Sequence, residues 1–188
     1  ELWLNGKKLV LHGMNWIEEY GENAALLDTI RLQNLLAGLK QSGANAVRVV
    51  GHVTHPLLPS WCDRAGLFLL EEVPLYCLTQ AHYRDPRFAQ IAQAQLIEMV
   101  QRDRNHPSVL AWGLGAASRP STEAAQKVVN DLAAALRSLD SRLVYAVTPP
   151  AWQPLWQKHV DFLLVDWLKR GNLDSLVAMQ DQSTKLIL

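Results

Sequence analysis

The chain has 188 residues, of which 49% are hydrophobic and 19% charged, and its 18 basic and 18 acidic side chains leave no formal net charge. This composition is typical of a globular chain with one sizeable core, and it argues against nucleic acid or an acidic membrane surface as the main partner. No run approaches the roughly 18 apolar residues of a membrane-spanning helix, so we expect no membrane insertion and a small molecule, a sugar or a protein as partner.

The two cysteines, Cys62 and Cys77, can form at most one bridge, and we expect both thiols to be reduced and partly buried. The chain begins at Glu1 without Met and without a signal-peptide pattern. We therefore expect a piece of a longer protein, and the sequence leaves its cellular location open.

Short leucine-rich and β-branched runs alternate with helical segments along the chain. The runs predict seven strands, at residues 9–14, 46–50, 67–72, 108–114, 143–147, 160–165 and 185–188. Apolar spacing predicts helices over residues 28–42, 86–104 and 122–138, the first with an apolar stripe of Ile30, Leu35, Leu36 and Leu39. Repeated strand–helix alternation predicts a parallel α/β fold.

Two parallel architectures compete, a doubly wound open sheet and a (β/α) barrel of the TIM type. A doubly wound nucleotide binder carries a G-x-G-x-x-G turn after its first strand, and "HGMNWIEEYGEN" has none, which favours the barrel. A TIM barrel normally takes about 250 residues and eight strands. We therefore expect residues 1–188 to form a single barrel domain, truncated at about strand seven, within a longer multidomain protein.

The active site of a TIM barrel lies where the strands end at their carboxyl face, so polar and aromatic residues there are the candidates for a binding site. Alternation sends Glu71 and Glu72 to opposite faces of the third strand, so one of them can face the barrel mouth. The candidate substrate-binding residues are Asn15, Trp16, Glu18, Arg48, His52, Glu72 and Trp167.

Several of these residues also have a purely structural interpretation. Arg48 fits a structural salt bridge as well as a functional one, and Glu18 with Glu19 fits a solvated loop edge as well as an acid/base pair. His52 and His55 have the spacing of a metal pair without an evident third ligand, so we expect no metal and no cofactor.

Two further expectations concern His106 and the tryptophans. We expect His106, before Pro107, to be a turn residue whose ring bonds the backbone. Trp16, Trp112 and Trp167 lie near strand ends, where their rings could offer apolar faces to sugars.

Four stretches together resemble the catalytic barrel of glycoside hydrolase family 2, the family of β-galactosidases, β-glucuronidases and β-mannosidases. They are "LNGKKLVLHGMNW", "LKQSGANAVRVV", "LPSWCDRAGLFLLEEVP" and "VQRDRNHPSVLAWGLG", in that order. "EEVP" and "LRSLDSRLVYAV" favour the β-glucuronidase branch. The resemblance implies a retaining glycosidase ancestry, with one carboxylic acid protonating the leaving oxygen and a second attacking the anomeric carbon.

The resemblance also shows where this chain departs from the family. The family's "W-S-L-G-N-E" ends strand four, its Asn holding the sugar 2-hydroxyl and its Glu acting as acid/base, and this chain has Ala116 and Ala117 at those two positions. Asn15, Glu18 and Arg48 match the family pattern. Gly51 and Ile17 replace family histidines, and the nucleophile is expected after strand seven, beyond Leu188.

These departures predict a domain of carbohydrate metabolism that is catalytically degenerate, has no intact catalytic residue and retains saccharide binding. Its expected partners are a saccharide and other domains of the same polypeptide. The first alternative is an active hydrolase with a displaced acid and a nucleophile beyond Leu188; Glu123 is a poor stand-in because it is predicted to lie in the next helix. The second alternative is a protein-interaction or structural module, which is favoured only if the mouth is filled by its own side chains.

Overall fold

The computed structural model describes residues 2–18, 29–116, 118–148, 153–156, 158–165 and 186–187. The strands are β1 (Leu2–Leu4), β2 (Lys7–Leu9), β3 (Gly13–Trp16), β4 (Ala46–Val49), β5 (Phe68–Glu72), β6 (Val109–Ala116), β7 (Leu143–Thr148), β8 (Phe162–Val165) and β9 (Leu186–Ile187). The helices are α1 (Thr29–Gln41), α2 (Leu57–Ala65), α3 (Gln80–Arg84), α4 (Pro86–Asp103), α5 (Glu123–Leu139) and α6 (Gln153–Trp156).

Strands β3 to β9 form one parallel sheet in which the spatial order of the strands equals their order in the chain. A doubly wound sheet reverses its strand order at a switch point, so the sequential order excludes it and confirms the TIM-type barrel. Within the described residues the sheet has seven of the eight strands of such a barrel, with β3 and β9 at its edges. None of the described helices combines the length and the apolar character needed to cross a membrane.

Strands β4 to β8 are mostly buried on both faces because each face covers a separate part of the core. The outer layer lies between the sheet and the helices and includes Val47, Leu69 and Trp112, packed in one cluster with Leu36 of α1 and Leu96 of α4. The inner layer lies on the concave side of the sheet, and its buried members are Ala46, Leu70, Ala111, Ala116, Tyr145, Val147 and Phe162.

The two long predicted helices after the third and fourth barrel strands are confirmed, and both begin at side-chain caps. Asp85 accepts a hydrogen bond from the Arg87 amide before α4, and Thr122 accepts one from Ala125 before α5. Helices α2, α3 and α6 have only nine, five and four residues, too few turns for an apolar stripe to be recognised by spacing.

The predicted first strand, residues 9–14, is wrong in its bounds. Leu9 ends β2, which pairs with β1 in an antiparallel hairpin closed by Asn5 and Gly6, both with positive φ, whereas the barrel strand begins only at Gly13. The Asn45 side chain holds the segment between them, accepting from the His12 amide at 2.8 Å and donating to the Val10 carbonyl at 2.7 Å.

The predicted apolar stripe of α1 is confirmed for Leu36 and Leu39 and wrong for Ile30 and Leu35. Leu32 and Leu36 are buried and Leu39 packs against the same core, whereas Ile30 is 65% and Leu35 48% exposed. The buried side chains follow the i, i+4, i+7 row that faces the outer layer, and the two exposed side chains lie off that row.

Candidate functional site

The adjacent carboxylates Glu71 and Glu72 end β5 and point to opposite faces of the sheet, as the alternation predicts. Both are fully buried. Glu72 lies among inner-face residues of β4 and β7, and Glu71 lies on the helix side near the end of α4. One strand end therefore supplies two carboxylates to two separate environments.

Glu72 accepts hydrogen bonds from three donors on the inner face. The Arg48 Nε lies 2.5 Å from Oε1, the Tyr145 hydroxyl donates to Oε1 at 3.1 Å, and the Gly51 amide donates to Oε2 at 3.0 Å. Such a set of donors stabilises a buried carboxylate in its ionised form. Glu72 is consequently an acceptor held by the protein itself.

Arg48 connects this carboxylate to β3. Asn15 and Arg48 are partners in the parallel register of β3 and β4, and Arg48 Nη1 donates to Asn15 Oδ1 at 3.1 Å. Burial alone would lower the pKa of Arg48, but the neighbouring Glu72 carboxylate raises it overall. Asn15, Arg48, Glu72 and Tyr145 thus form a continuous set of hydrogen bonds across the inner face, called here the inner network.

Tyr145 was not among the residues singled out from the sequence, although it is the one hydroxyl-bearing aromatic in the run 143–147. It reaches Glu72 because Gly113 lies between them in register and has no side chain. A Cβ at Gly113 would lie 2.5 Å from Glu72 Cγ and 2.8 Å from Tyr145 Cζ. Burial, and then the Glu72 charge, raise the pKa of Tyr145 well above its usual value, so its hydroxyl stays protonated.

Glu18 and His52 meet in a second cluster, which holds the loop after β4. Glu18 Oε1 accepts from the Thr54 hydroxyl at 2.9 Å and from the His55 amide at 3.1 Å, and His52 Nε2 lies 3.5 Å from Glu18 Oε2. Arg102 at the end of α4 donates to the Thr54 carbonyl at 2.9 Å. This arrangement gives Glu18 and His52 a structural role beside the strand ends.

The ring Nδ1 atoms of His52 and His55, the pair with H-x-x-H spacing, both interact with nearby backbone groups. The His55 ring accepts from the Leu57 amide at 3.2 Å, and the His52 ring bonds the Val50 carbonyl at 2.8 Å. Over the described ranges, no three His, Cys, Asp or Glu side chains are grouped so that they could hold an ion.

The tryptophans differ from the predicted arrangement. Trp16 is the register partner of Val49, so its side chain lies on the helix-facing side of the sheet and packs against the outer layer, which corrects its assignment to the mouth. Trp112 is completely buried in the same layer, so it cannot offer a face to a sugar. Trp167, like Glu19, lies outside the described residues.

The end of β6 passes close to the segment that follows β5, and its last residues have small side chains or none. Gly115 has φ of +133°, and a Cβ there would lie 2.6 Å from the Leu75 carbonyl oxygen, so the strand makes a close approach that requires glycine. The Ala116 amide donates to Leu75 and its carbonyl accepts from Cys77, both at 3.1 Å. Ala116 is buried in the inner layer, and Ala117 lies outside the described residues.

The stretch before β6 forms scaffold interactions. The His106 ring bonds the Asp63 carboxylate at 2.6 Å, and the Ser108 amide donates to the same carboxylate at 2.8 Å. The expected bond from the His106 ring to backbone is therefore wrong, because α2 brings Asp63 to it. Burial would raise the pKa of Asp63, but the bonds from His106 and Ser108 lower it overall.

The helix-side carboxylate Glu71 lies beside Asp103, which is also buried and is bridged by Arg102, with Nε 2.8 Å from Oδ1 and Nη2 2.5 Å from Oδ2. Burial raises the pKa of Glu71 well above its usual value, and Asp103 raises it further, outweighing Arg102 and Arg142. Neither carboxyl oxygen of Glu71 has a hydrogen-bond partner among the described residues, and burial without such partners favours the neutral, protonated carboxyl.

Fold and site together define a TIM-barrel domain with a polar network at the carboxyl ends of its strands. Residues 1–184 match the family described as glycosyl hydrolases family 2, TIM barrel domain. The chain belongs to this family, and the resemblance drawn from the sequence is confirmed.

Two relatives with curated names are β-galactosidases. "Beta-galactosidase" and "Beta-galactosidase 2" of Enterobacter cloacae are each 38% identical over 122 residues, which is 61% of this chain and 12% of either relative. This chain therefore spans a small part of their length.

Solved structures of the family share the fold. A β-galacturonidase from Eisenbergiella tayi bound to galacturonate superposes with a TM-score of 0.87 at 24% identity, over 97% of this chain and 35% of that one. A Bacteroides uniformis β-glucuronidase gives a TM-score of 0.83 at 21% identity, over 98% of this chain and 25% of that one.

Proposed function

We propose that this glycoside hydrolase family 2 barrel domain of carbohydrate metabolism is catalytically degenerate and binds a saccharide at the carboxyl ends of its strands. The observation that carries the proposal is the end of β6, where the strand makes its close approach at Gly115 and ends at Ala116, which is followed in the sequence by Ala117. The resemblance assigns the 2-hydroxyl contact and the acid/base to those two positions. A methyl group can perform neither task.

Among the carboxylates that the structure describes near the strand ends, Glu72, Glu18 and Glu123 do not suit the role of the acid. A general acid contributes roughly 10²- to 10⁴-fold to a rate and must carry a proton at the leaving oxygen. Glu72 is fully buried, forms a salt bridge with Arg48 and accepts bonds from three donors, and Glu18 accepts bonds from Thr54 and His55. Both side chains are occupied by the protein. Glu123 is exposed as the first residue of α5, in keeping with its predicted place in the helix.

Saccharide binding is supported by the outer end of the inner network. Asn15 is exposed and uses its Oδ1 to accept from Arg48, which leaves the amide nitrogen of the same side chain to donate. The Arg48 side chain is 15% exposed and fixed by Glu72. Planar polar groups held in place in this way suit sugar hydroxyls. Because the salt bridge already fixes their position, little further conformational entropy is lost when a sugar binds.

Calorimetric titration of the chain tests the proposal. The panel is methyl β-galactoside, methyl β-glucuronide, methyl β-galacturonide and methyl β-mannoside, and we expect at least one to bind with a Kd of about 1 μM to 1 mM. Asn15→Ala is expected to weaken that binding. The matched control is Asn34→Ala on the exposed side of α1, which is expected to leave it unchanged.

Two results would reject parts of the proposal. If the whole panel fails to bind, the domain is a structural or interaction module. If the chain hydrolyses aryl glycosides with good leaving groups and also unactivated methyl glycosides, an acid is present and the domain is not degenerate.

A further inference from the structure

Tyr76 lies at the mouth. It was not singled out from the sequence, and it is not part of the inner network. Tyr76 is four residues beyond Glu72, and the inward parity of Phe68, Leu70 and Glu72 continues to it. A parallel bridge pairs Tyr76 with Ala116. The residue therefore lies on the inner side of the sheet, beside the end of β6 where the family's acid-bearing motif falls.

The Tyr76 side chain rests against the backbone of Gly51. A Cβ built on Gly51 would lie 3.2 Å from the Tyr76 Cβ, 3.4 Å from Cγ and 3.5 Å from Cδ2. Gly51 has φ of +67°, a conformation that side chains rarely adopt, and its amide is fixed by the bond to Glu72. The Tyr76 side chain thus lies beside a loop whose Gly51 amide is bonded to the inner network.

Tyr76 as a whole residue is 52% exposed. A half-exposed aromatic side chain beside a bonded loop can present an apolar surface to a ligand with little further loss of conformational entropy. The polar groups of Asn15 and Arg48 belong to the network that also fixes Gly51. A pyranose ring has a matching surface, with C–H groups on one face and hydroxyls around its rim.

We infer that Tyr76 is the aromatic platform on which a pyranoside stacks at this mouth. The inference rests on the proposed function and adds a contact residue to it. It also connects two features of the chain: position 51, where the family has a histidine, is glycine here, and Tyr76 occupies the adjacent space. The mouth therefore offers an apolar ring beside a position where the family pattern offers an imidazole.

The first test measures contact in the unaltered chain. With the four methyl glycosides of the panel as probes, we expect the C–H protons of a bound sugar to shift upfield by the ring current of Tyr76. Among the four tyrosines, the ring signals of Tyr76 should shift, whereas those of the buried Tyr83 and Tyr145 should not. A merely structural role for Tyr76 would leave the sugar protons unshifted.

The second test uses variants. Tyr76→Ala and Tyr76→Leu are expected to weaken binding by about tenfold or more, and Tyr76→Phe should bind within about twofold of the parent, because stacking uses the ring. Trp3→Ala is the matched control, since Trp3 is also an exposed aromatic residue, at 62% against 52% for Tyr76, and lies in the separate β1–β2 hairpin. Thermal unfolding of each variant identifies any that fail to fold, in which case the ring-current measurement decides.

The outcomes separate this inference from the proposed function. If the parent binds a glycoside and Asn15→Ala weakens it while Tyr76→Ala and Tyr76→Leu bind as the parent does, the platform is wrong and the proposed function stands. If the parent binds none of the four probes, both are overturned. If Tyr76→Phe loses binding as completely as Tyr76→Ala, the hydroxyl rather than the ring carries the contact and stacking is rejected.

Discussion

Arg48 and Glu72 form a salt bridge across neighbouring strands on the inner face of the barrel sheet, with Arg48 Nε 2.5 Å from Glu72 Oε1. The carboxylate is fully buried and the guanidinium is 15% exposed. The same pair holds Asn15 on one side and Tyr145 on the other. Arg48 and Glu72, the two charged residues of the inner network, therefore bind each other.

The first prediction concerns the loss of this pair. Arg48→Ala leaves an ionised carboxylate buried without its counter-charge, so we expect the free energy of unfolding to fall by about 3–5 kcal/mol in urea titrations. Lys127→Ala is the control, because Lys127 and Asp131 form an exposed i, i+4 pair that contributes only about 0.3–0.5 kcal/mol. Equal losses in the two variants would show that Glu72 is not held as an ion in the folded chain.

The second prediction concerns Gly113, which lies between Glu72 and Tyr145. Gly113→Ala places a methyl group within 2.5 Å of Glu72 Cγ and 2.8 Å of Tyr145 Cζ, so the two side chains must separate. We expect a loss of about 1–3 kcal/mol in the free energy of unfolding.

The control for Gly113 is Gly38→Ala in the exposed face of α1, where a Cβ meets nothing within 4 Å. We expect this substitution to raise the free energy of unfolding by about 0.5–1 kcal/mol, since alanine favours the helix. A Gly113→Ala variant as stable as the parent would contradict the Tyr145–Glu72 contact.

The third prediction concerns pH. The pKa of Glu71 in the folded chain is raised well above its usual value of 4.5, so between those two pKa values the folded state binds more protons than the unfolded one. Its contribution is therefore complete below about pH 4.5 and is lost as the pH rises through the folded-state pKa. The neighbouring charges are Asp103, Arg102 and Arg142.

Glu71→Gln removes the titration and keeps a neutral side chain of nearly the same size and shape. The difference in unfolding free energy between this variant and the parent should move in favour of the variant as pH rises above 4.5. Glu98→Gln, at an exposed position of the same helix as Asp103, should give a difference that does not change with pH in this way. A flat difference for Glu71→Gln would show that Glu71 is ionised in the folded state.

The fourth prediction concerns the cysteines, which form no disulfide in the structure. Burial raises the pKa of Cys62 to about 12, whereas Cys77 is exposed. A thiol reagent at pH 8 should therefore modify Cys77 in the folded chain and reach Cys62 only after unfolding, as mass spectrometry of the peptides would show. Rapid modification of both thiols under native conditions would contradict the packing of Cys62 in the outer layer.

Sequence patterns predicted the fold well because the barrel strands are short apolar runs and the long helices have capped, periodic boundaries. The opposite directions of Glu71 and Glu72 also follow from alternation alone. The side of the sheet on which Trp16 lies did not follow, because the predicted first strand included residues 10–12, which precede β3, and its register was unknown. The phase of α1 depends on its packing against the outer layer, which spacing alone did not fix.

The contacts of the site depended on residues far apart in the chain. Tyr145 reaches Glu72 over 73 positions through the gap at Gly113, and Asp63 reaches His106 over 43 positions. Tyr76 lies beyond the end of the predicted strand, and its position at the mouth follows only from its contacts with Gly51 and Ala116. Sequence reasoning named Arg48 and Glu72, which the structure joins in a salt bridge, and it did not single out Tyr145 or Tyr76.

One measurement tests the central claim most directly: a proton NMR titration of the chain with the four methyl β-glycosides, followed over days in the same tubes. We predict saturable shifts or broadening of at least one glycoside, with no free reducing sugar or methanol formed. Release of methanol at a rate proportional to protein concentration would contradict the claim that the domain is degenerate. Unchanged spectra for all four glycosides would contradict the claim that it binds saccharides.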